Sequence, residues 1–243
     1  MKALIGVMSC ERDAANGGHD AIRKTWATRM VDGLDYKIFM GQGSRALAPD
    51  EERLDVPDDY SHLPEKSQAM RKWSLERGYE FMFKSDRDTY LSPRRLLDSG
   101  FEKHDYSGHF PMYPSEGYIP ADGHDLSEYC DPRGVYPYAS GGCGYWTSRR
   151  AMEAIAAAPL DWKRLDNRGV PAEDLWIPNI LYPLGMRGYH NPRYMFHGDR
   201  LVGDYITVHL SKGTGCYEPS WMVRAHDNLD MVMIGGRWEQ ASR

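Results

Sequence analysis

Short apolar runs alternate with helix-forming segments through the first third of this sequence, and this alternation restricts the fold more than any other feature. Ala3–Met8, residues 36–40 and residues 79–85 are mainly apolar, as are strands buried on both faces of a sheet. Residues 20–30 and 65–77, between these runs, have the pattern of helices. Strands that alternate with helices predict a layered α/β fold with a mostly parallel sheet.

The second half continues this alternation less regularly. Residues 145–147 and 205–209 are predicted strands, and residues 148–157 and 173–184 are predicted helices. Residues 108–138 are rich in Tyr, Pro, Gly and Asp, and they break the strand pattern. We expect this irregular segment to shape a substrate cleft.

Polar side chains stand where the predicted strands end. Ser9 and Arg12 follow the first strand, and Asp86 and Asp88 follow the third. In open parallel sheets, ligands bind at the carboxyl ends of the strands. We therefore expect these four residues to lie at one site.

Composition disfavours several classes of protein. The net charge of −5 is opposite in sign to the basic footprint of a broad nucleic-acid-binding surface. The 4 cysteines are scattered and form no CxxC pair, which argues against a disulfide framework or a zinc cluster. The apolar run at the start has about seven residues, whereas a membrane span needs roughly 20. We predict a cytoplasmic protein with free thiols and no membrane span.

The first candidate site is the pair Asp86 and Asp88, separated by Arg87. Two carboxylates can hold Mg²⁺ or Mn²⁺ through oxygen, while phosphate oxygens and water complete the coordination. Such an ion neutralises a departing diphosphate as a Lewis acid. A solvated turn is the alternative, because this spacing is common by chance. The position directly after an apolar strand strengthens the metal interpretation and leaves both open.

Two further segments supply groups suited to a phosphate or metal site. Within residues 136–155, Gly141 and Gly142 allow a ligand to approach the backbone closely, although a tight turn explains them as well. His209 ends an apolar strand. It is either a packed core histidine or a ligand of the same metal, with Lys212 beside the diphosphate.

Glu173 and Asp174 begin a predicted helix. Acidic residues in a first helical turn stabilise the helix dipole, and this role requires no catalysis. The alternative is a carboxylate that takes a proton from an acceptor hydroxyl.

Taken together and in order, these segments resemble the β-1,3-galactosyltransferase and Fringe type of glycosyltransferase, family 31. AIRKTW at residues 21–26 resembles the family's IRxTW segment, and DDYSHLPEK at residues 58–66 resembles DxYxNLtxK. KSDRD at residues 84–88 resembles K-x-DDD, YASGG at residues 138–142 resembles YxSGxGY, and EDLW at residues 173–176 resembles EDVxxG. Each segment is short, and their shared order makes the signal specific.

The resemblance implies a GT-A glycosyltransferase fold, with a Rossmann-like, mostly parallel central sheet flanked by helices. It implies one domain over residues 1–243, with a nucleotide-sugar half at 1–90 and an acceptor half at 91–243. It further implies a UDP-sugar donor, Mn²⁺ or Mg²⁺ as cofactor, and an inverting single displacement onto a hydroxyl acceptor such as a glycan.

The resemblance also assigns roles to individual residues. Asp88 is the main metal carboxylate, His209 is a further ligand, and Asp86 contacts the donor ribose or sugar and assists the metal. Asp174 is the general base that deprotonates the acceptor hydroxyl as its oxygen attacks the anomeric carbon. Glu173 binds sugar hydroxyls or shares that role. The remaining donor-binding residues are expected to be Ser9, Arg12, Arg23, Lys66, Gly141, Gly142 and Lys212.

Several features depart from the family pattern. Arg87 replaces the middle acidic residue and places a cation beside the metal site. Cys143 lies within the glycine-rich segment, and Pro178 lies where the pattern would continue with glycine. The family's secretory enzymes have a membrane anchor and luminal disulfides, and this sequence predicts neither. It resembles a compact microbial or phage version.

Three other functions compete with this hypothesis. A phage enzyme that glycosylates a hydroxymethylated DNA base would use the arginine pairs at 94–95 and 149–150 for phosphate, and the aromatic middle segment for an extruded base. A non-catalytic nucleotide-sugar-binding module is disfavoured, because it would have no need of Asp86, Asp88 and Asp174 together. A phosphohydrolase with two metals would need a second acidic and histidine cluster, which the sequence lacks.

Overall fold

The computed structural model describes residues 1–121, 123–130, 134–160, 172–195, 205–210, 217–227, 231–234 and 237–240. Its strands are β1 (Ala3–Met8), β2 (Leu34–Met40), β3 (Glu51–Arg53), β4 (Phe81–Asp86), β5 (Thr89–Leu91), β6 (Tyr106–Gly108), β7 (Tyr145–Ser148), β8 (Gly188–His190), β9 (Tyr194–Met195), β10 (Thr207–His209), β11 (Met231–Ile234) and β12 (Arg237–Gln240). Its α-helices are α1 (Glu11–Ala15), α2 (Gly18–Lys24), α3 (Leu63–Glu76), α4 (Pro93–Leu97), α5 (Arg149–Ala157), α6 (Glu173–Leu181) and α7 (Pro219–Asp227).

A seven-stranded sheet in the order β3-β2-β1-β4-β7-β6-β8 organises the described chain. The pairings β3–β2, β2–β1, β1–β4 and β6–β8 are parallel, whereas β7 runs antiparallel to β4 and β6. A small second sheet has the order β5-β10-β9, and β11 and β12 form a hairpin. The mostly parallel central sheet that the alternation predicts is thus present.

Apolar side chains cover both faces of the central strands. Ile5 of β1 belongs to one buried cluster, which also contains Trp26. Leu4, on the opposite face, belongs to another cluster with Phe39 of β2 and Met70 of α3. Because both faces of β1 are covered, its sequence is a continuous apolar run rather than an alternating one.

Several predicted elements differ from the observed ones at their ends. The helix expected over residues 20–30 ends at Lys24, and a 3₁₀ turn, Trp26–Arg29, replaces its second half. The helix expected over 173–184 is α6 followed by a 3₁₀ turn, Tyr182–Leu184. The third strand begins two residues later than expected and ends at Asp86. These shifts leave the order of the elements unchanged.

The short strands β3, β5, β6, β8 and β9 were not expected. Each has two or three residues, too few to show a periodic pattern. They are strands because a neighbouring strand pairs with their backbone, as Tyr106 of β6 pairs with Thr147 of β7. Only the folded chain supplies such partners.

No helix in the described parts of the chain has the length and apolar character needed to cross a bilayer. Cys10 and Cys143 are free thiols.

Candidate functional site

The ends of β1 and β4 lie side by side at one edge of the central sheet. In the parallel register of these strands, Met8 lies opposite Asp86. Ser9 follows Met8 directly, and its backbone N–H donates to the carbonyl of Phe39 on β2, 2.9 Å away. The sheet thereby brings the chain segments after its first and third predicted strands to one place, as the alternation predicts.

Lys84 connects this edge to the beginning of α6. Its ammonium Nζ lies 2.6 Å from Oδ1 of Asp86 and 2.6 Å from Oε1 of Glu173. The lysine is 2% exposed, and its pair with Glu173 is shielded from water, whereas Asp86 is partly exposed. Burial alone would lower the pKa of Lys84, but the two carboxylates outweigh burial and raise it above its ordinary value. Lys84 is therefore a buried cation shared by two carboxylates.

Asp174 lies next to this cation, in the first turn of α6. Its Oδ2 accepts a hydrogen bond from the backbone N–H of Gly141 at 3.2 Å. Burial and then the charge of Glu173 raise the pKa of Asp174 to about 6, although Lys84 acts in the opposite direction. A carboxylate with this pKa is ionised near neutral pH and is still basic enough to accept a proton.

Asp88 and His209 form the other side of the site. Oδ2 of Asp88 lies 3.4 Å from Nε2 of His209, and the antiparallel register of β5 and β10 places Thr89 opposite His209. Burial alone would raise the pKa of Asp88, but His209 and Arg87 outweigh burial and hold it below its ordinary value. Burial would lower the pKa of His209, and pairing with Asp88 raises it instead.

The glycine-rich segment passes between these groups as a 3₁₀ turn, Gly141–Cys143. A Cβ atom at Gly142 would lie 2.6 Å from Nδ1 of His209, so only glycine fits without displacing the imidazole. Gly144 ends the turn at φ 78°, a left-handed conformation that favours glycine. The carbonyl of Gly142 accepts a hydrogen bond from Thr89 Oγ1 at 2.8 Å. The imidazole of His209 thus packs closely against the backbone at Gly142, within the tight turn that was one of the two alternatives. The approach of a ligand to this backbone stays a prediction.

Arg87 is held by a carboxylate on α1. Its Nη1 lies 2.6 Å from Oδ1 of Asp13, and its guanidinium lies 5.4 Å from the centroid of the Tyr217 ring. The hydroxyl of Ser9 lies 3.4 Å from Oδ2 of the same aspartate. The cation that departs from the family pattern therefore ties the turn after β4 to the end of β1.

Behind Ser9, a buried polar chain continues into the protein. The Ser9 hydroxyl lies 2.7 Å from Nε2 of His19, whose Nδ1 lies 2.6 Å from Oε1 of Glu51. Arg23 donates to Glu51 Oε1 at 2.8 Å and to both carboxylate oxygens of Asp50. The guanidinium of Arg23, a predicted donor-binding group, is thus engaged by carboxylates of its own chain.

Three other predicted donor-binding residues have different surroundings. Lys66 is buried, and its Nζ donates to the carbonyl of Ser9 at 2.9 Å and to Oδ1 of Asp58 at 2.8 Å. Lys66 therefore holds the backbone that follows β1 in place through the carbonyl of Ser9. Arg12 is exposed on α1. Lys212 lies outside the described residues.

At the level of sequence, no protein-family model and no curated protein matches the chain. In three dimensions the chain is similar to a glycosyltransferase involved in the glycosylation of the major capsid of PBCV-1, with a TM-score of 0.50 and 14% identity. The match covers 92% of this chain and 99% of that chain. The fold is a GT-A glycosyltransferase fold. The predicted fold class is confirmed, and the finer resemblance to family 31 stays a prediction.

Two other solved structures are less similar. A putative nucleotide-diphospho-sugar transferase from Desulfovibrio desulfuricans G20 has a TM-score of 0.45 and 11% identity, covering 79% of this chain and 80% of that chain. A197 from STIV has a TM-score of 0.40 and 12% identity, covering 79% of this chain and 82% of that chain. TM-scores below 0.5 support no conclusion about this protein.

The predicted metal centre of the GT-A sheet is assembled only in part. Asp88 and His209 pair directly with each other at 3.4 Å, a separation close to the roughly 3 Å expected of two ligands of one ion whose bonds of about 2.1 Å meet near a right angle. Asp86 directs Oδ1 to Lys84 instead. Among the described residues, no three His, Cys, Asp or Glu side chains form a group that could hold a metal ion. The Mn²⁺ or Mg²⁺ cofactor stays a prediction, with Asp88 and His209 as the two candidate donors.

Lys84 and Asp13 were not among the predicted site residues, although both organise the site. Lys84 had one signal in the sequence: a lysine inside the apolar run FMFKS, where an unpaired charge would be costly. Asp13 had none, because it lies on an ordinary polar stretch, and its partner Arg87 lies in a different part of the chain.

Proposed function

We propose that this protein is an inverting glycosyltransferase that moves a sugar from a UDP-sugar to a hydroxyl acceptor such as a glycan. One observation carries the proposal. Lys84 binds both Asp86 and Glu173, and so places the turn at residues 86–88, here called the DRD turn, beside the Glu173-Asp174 pair. In a displacement reaction, the turn at the end of β4 would supply the site for the leaving group, and the Glu173-Asp174 pair would supply the base. The GT-A fold agrees with this assignment.

Asp174 acts as the general base in the proposed reaction. The acceptor hydroxyl oxygen attacks the anomeric carbon while its proton passes to the Asp174 carboxylate. The bond between the anomeric carbon and the diphosphate oxygen breaks, and its electron pair leaves with UDP. Because the pKa of Asp174 is raised to about 6, the carboxylate is a better proton acceptor than an ordinary aspartate and is still ionised above that pH.

Asp88 and His209 would hold the Mn²⁺ or Mg²⁺ ion. When bound, that ion supplies Lewis-acid neutralisation of the charge on the departing diphosphate. Asp86, held in place by Lys84, is then placed to accept hydrogen bonds from donor hydroxyls. Ser9, directly after β1, and Arg12, on α1, are proposed to contact the nucleotide.

A DNA acceptor receives little support from the arginine pairs that suggested it. Arg149 pairs with Glu153 at 3.0 Å, and Arg150 pairs with Asp105 at 2.8 Å, both on exposed surface. Arg94 lies 4.0 Å from Asp98, likewise on the surface. Such pairs are ordinary features of a solvated helix face.

A panel of nucleotide sugars tests the proposal through UDP release with and without Mn²⁺. We expect release with at least one UDP-sugar, and stimulation by a glycan or hydroxymethyl-DNA acceptor identifies the acceptor class. Asp174→Asn should lower acceptor-dependent transfer by roughly 10²–10⁴-fold, the usual contribution of a general base. Full transfer by Asp174→Asn would refute the base assignment. Nucleotide-sugar binding with neither hydrolysis nor transfer would identify the protein as a non-catalytic binding module.

A further inference from the structure

Arg71, in the middle of α3, is a fully buried cation without a carboxylate beside it. Its side chain is 0% exposed, and Nη1 donates to the carbonyl of Ser67 at 2.8 Å and to its hydroxyl at 2.6 Å. No carboxylate of the described chain lies within ion-pair distance of its guanidinium, and Nε has no hydrogen-bond partner there. Burying a charge with so little compensation is costly.

The second guanidinium nitrogen of Arg71 reaches a hydroxyl that leads towards the site. Nη2 donates to the phenolic oxygen of Tyr145 on β7 at 3.1 Å. That hydroxyl donates to Oε2 of Glu173 at 2.5 Å. Complete burial and the charge of Glu173 raise the pKa of Tyr145 well above its ordinary value, so the phenol stays protonated and keeps this donor.

From Glu173 the chain of contacts continues outward through Lys84. The two oxygens of Glu173 have different partners: Oε2 accepts from Tyr145, and Oε1 faces the Lys84 ammonium at 2.6 Å. The same ammonium faces Asp86 Oδ1 at 2.6 Å, and the Asp86 side chain is 31% exposed. Arg71, Tyr145, Glu173, Lys84 and Asp86 thus form one line of contacts from the core to the sheet edge, here called the Arg71–Asp86 line.

We propose that Arg71 and Tyr145 are positioning residues for the donor site, acting through Glu173 and Lys84 to orient Asp86. This inference rests on the proposed function. The Tyr145 hydroxyl fixes Glu173, Glu173 fixes the ammonium of Lys84, and the ammonium holds Oδ1 of Asp86.

An apolar residue could fill the space of Arg71 without the cost of a buried charge. Burying a charge that has no ion-pair partner is costly, and an apolar residue of similar volume avoids that cost. Stability alone therefore does not explain why residue 71 is an arginine. A role in orienting the charged side chain of Asp86 at the sheet edge does explain it. Residues that break a folding rule concentrate at functional sites.

Tyr145→Phe is the central test, because it removes one hydroxyl and preserves the shape of the ring. We expect the dissociation constant for the UDP-sugar, measured by calorimetry, to rise several-fold; the strength of a hydrogen bond to a charged group sets the upper limit, roughly 100-fold. The KM for the acceptor should stay unchanged, because Asp86 faces the donor. Arg71→Met should act in the same direction.

Tyr106→Phe is the matched control. Tyr106 is also 0% exposed, lies on the neighbouring strand β6, and uses its hydroxyl to accept from the backbone N–H of Ala139 at 2.9 Å, outside the Arg71–Asp86 line. This variant should lose thermal stability and keep donor affinity. Equal donor affinities for Tyr145→Phe and Tyr106→Phe would overturn the proposal.

The double variant Arg71→Met/Tyr145→Phe separates a relay from two independent effects. If Arg71 acts through Tyr145, the double variant should bind the donor no more weakly than Tyr145→Phe alone. Additive losses would contradict a relay. Should Tyr145→Phe fail to fold, Glu173→Gln replaces it, because the amide keeps an acceptor for Tyr145 and removes the charge that faces Lys84; the same loss of donor affinity is expected.

The NMR signal of the Lys84 ammonium can be measured without a donor, so it tests the roles of Arg71 and Tyr145 separately from the proposed function. The Lys84 ammonium should give a slowly exchanging signal in ¹⁵N-lysine NMR, assigned by its loss in Lys84→Arg. The signal should persist in Tyr106→Phe and broaden in Tyr145→Phe and Arg71→Met. An unchanged signal in both latter variants overturns the inference. Wild-type protein that binds no nucleotide sugar would instead refute the proposed function, and the signal would still decide whether Arg71 and Tyr145 control Lys84.

Discussion

The ammonium group of Lys84 lies 2.6 Å from Oε1 of Glu173, although one residue lies within β4 and the other begins α6. Both side chains are almost completely buried. Neither charge has access to water, so each depends on the other. This pair ties the DRD turn to α6 and is the centre from which the site is built.

Lys84→Met should strongly destabilise the protein. The substitution removes the cation and leaves the buried carboxylate of Glu173 without its ion-pair partner, which typically costs about 3–5 kcal/mol. Thermal unfolding measures the effect. Lys72→Met is a suitable comparison, because Lys72 on α3 only donates to Gln68 Oε1 at 3.0 Å. A similar change in Tm for both variants would contradict the importance of the buried pair.

The pH dependence of transfer should report Asp174. With a pKa of about 6, the carboxylate becomes protonated as the pH falls through that value and can no longer accept a proton. We expect kcat/KM to decline below about pH 6 and to be flat above it. Asp174→Asn should remove this limb from whatever activity remains. A limb at the ordinary aspartate pKa would show that the burial of Asp174 does not govern its chemistry.

Asp174 should also make the protein less stable at neutral pH than in mild acid. Its pKa is higher in the folded chain than in the unfolded chain. The contribution of Asp174 to the free energy of unfolding is therefore fully present below the unfolded pKa, and it is lost as the pH rises through about 6. Asp174→Asn should therefore be more stable than wild type at pH 8, by on the order of 2 kcal/mol. The difference should shrink towards pH 4. Denaturant titrations at the two pH values measure it, and a constant difference would count against this cause.

His209→Ala should weaken the binding of Mn²⁺ by roughly 10-fold or more, because one of two adjacent protein donors is lost. Calorimetric titration of Mn²⁺ in the presence of UDP measures this directly, without reference to turnover. The pKa of His209 is raised by Asp88, and a metal ligand must be deprotonated, so Mn²⁺ affinity should fall as the pH is lowered. Asp59→Asn, far from β10 on an exposed turn, is the control. Equal Mn²⁺ affinity in His209→Ala and wild type would remove His209 from the metal site.

Arg87→Asp would restore the acidic middle residue of the family pattern, and it should destabilise this protein. Asp13 is buried and depends on Arg87 at 2.6 Å, so the substitution replaces an attraction by a repulsion. We expect a clear drop in Tm. Adding Asp13→Asn should recover a large part of it, because the two positions are coupled. No recovery in the double variant would show that Arg87 has a different role.

The sequence by itself determined the fold class and the alternation of the longer strands and helices in the first third of the chain. Ala3–Met8 is apolar throughout because both faces of β1 are covered, and such a run can be recognised without any partner. The helix predicted over residues 148–157 is α5, and the Ser148 side chain at its beginning accepts from the backbone N–H of Ala151. Both features depend on residues that are close together in the chain, where pattern and propensity act.

The tertiary structure alone decided which charges meet. Lys84 and Glu173 are 89 residues apart in the sequence, and Arg87 and Asp13 are 74 residues apart. Arg71 looks like one more polar residue of a helix until the fold buries it against Tyr145. A buried charge selects its partner through packing and exclusion of water, and both are properties of the assembled core rather than of any local stretch of sequence.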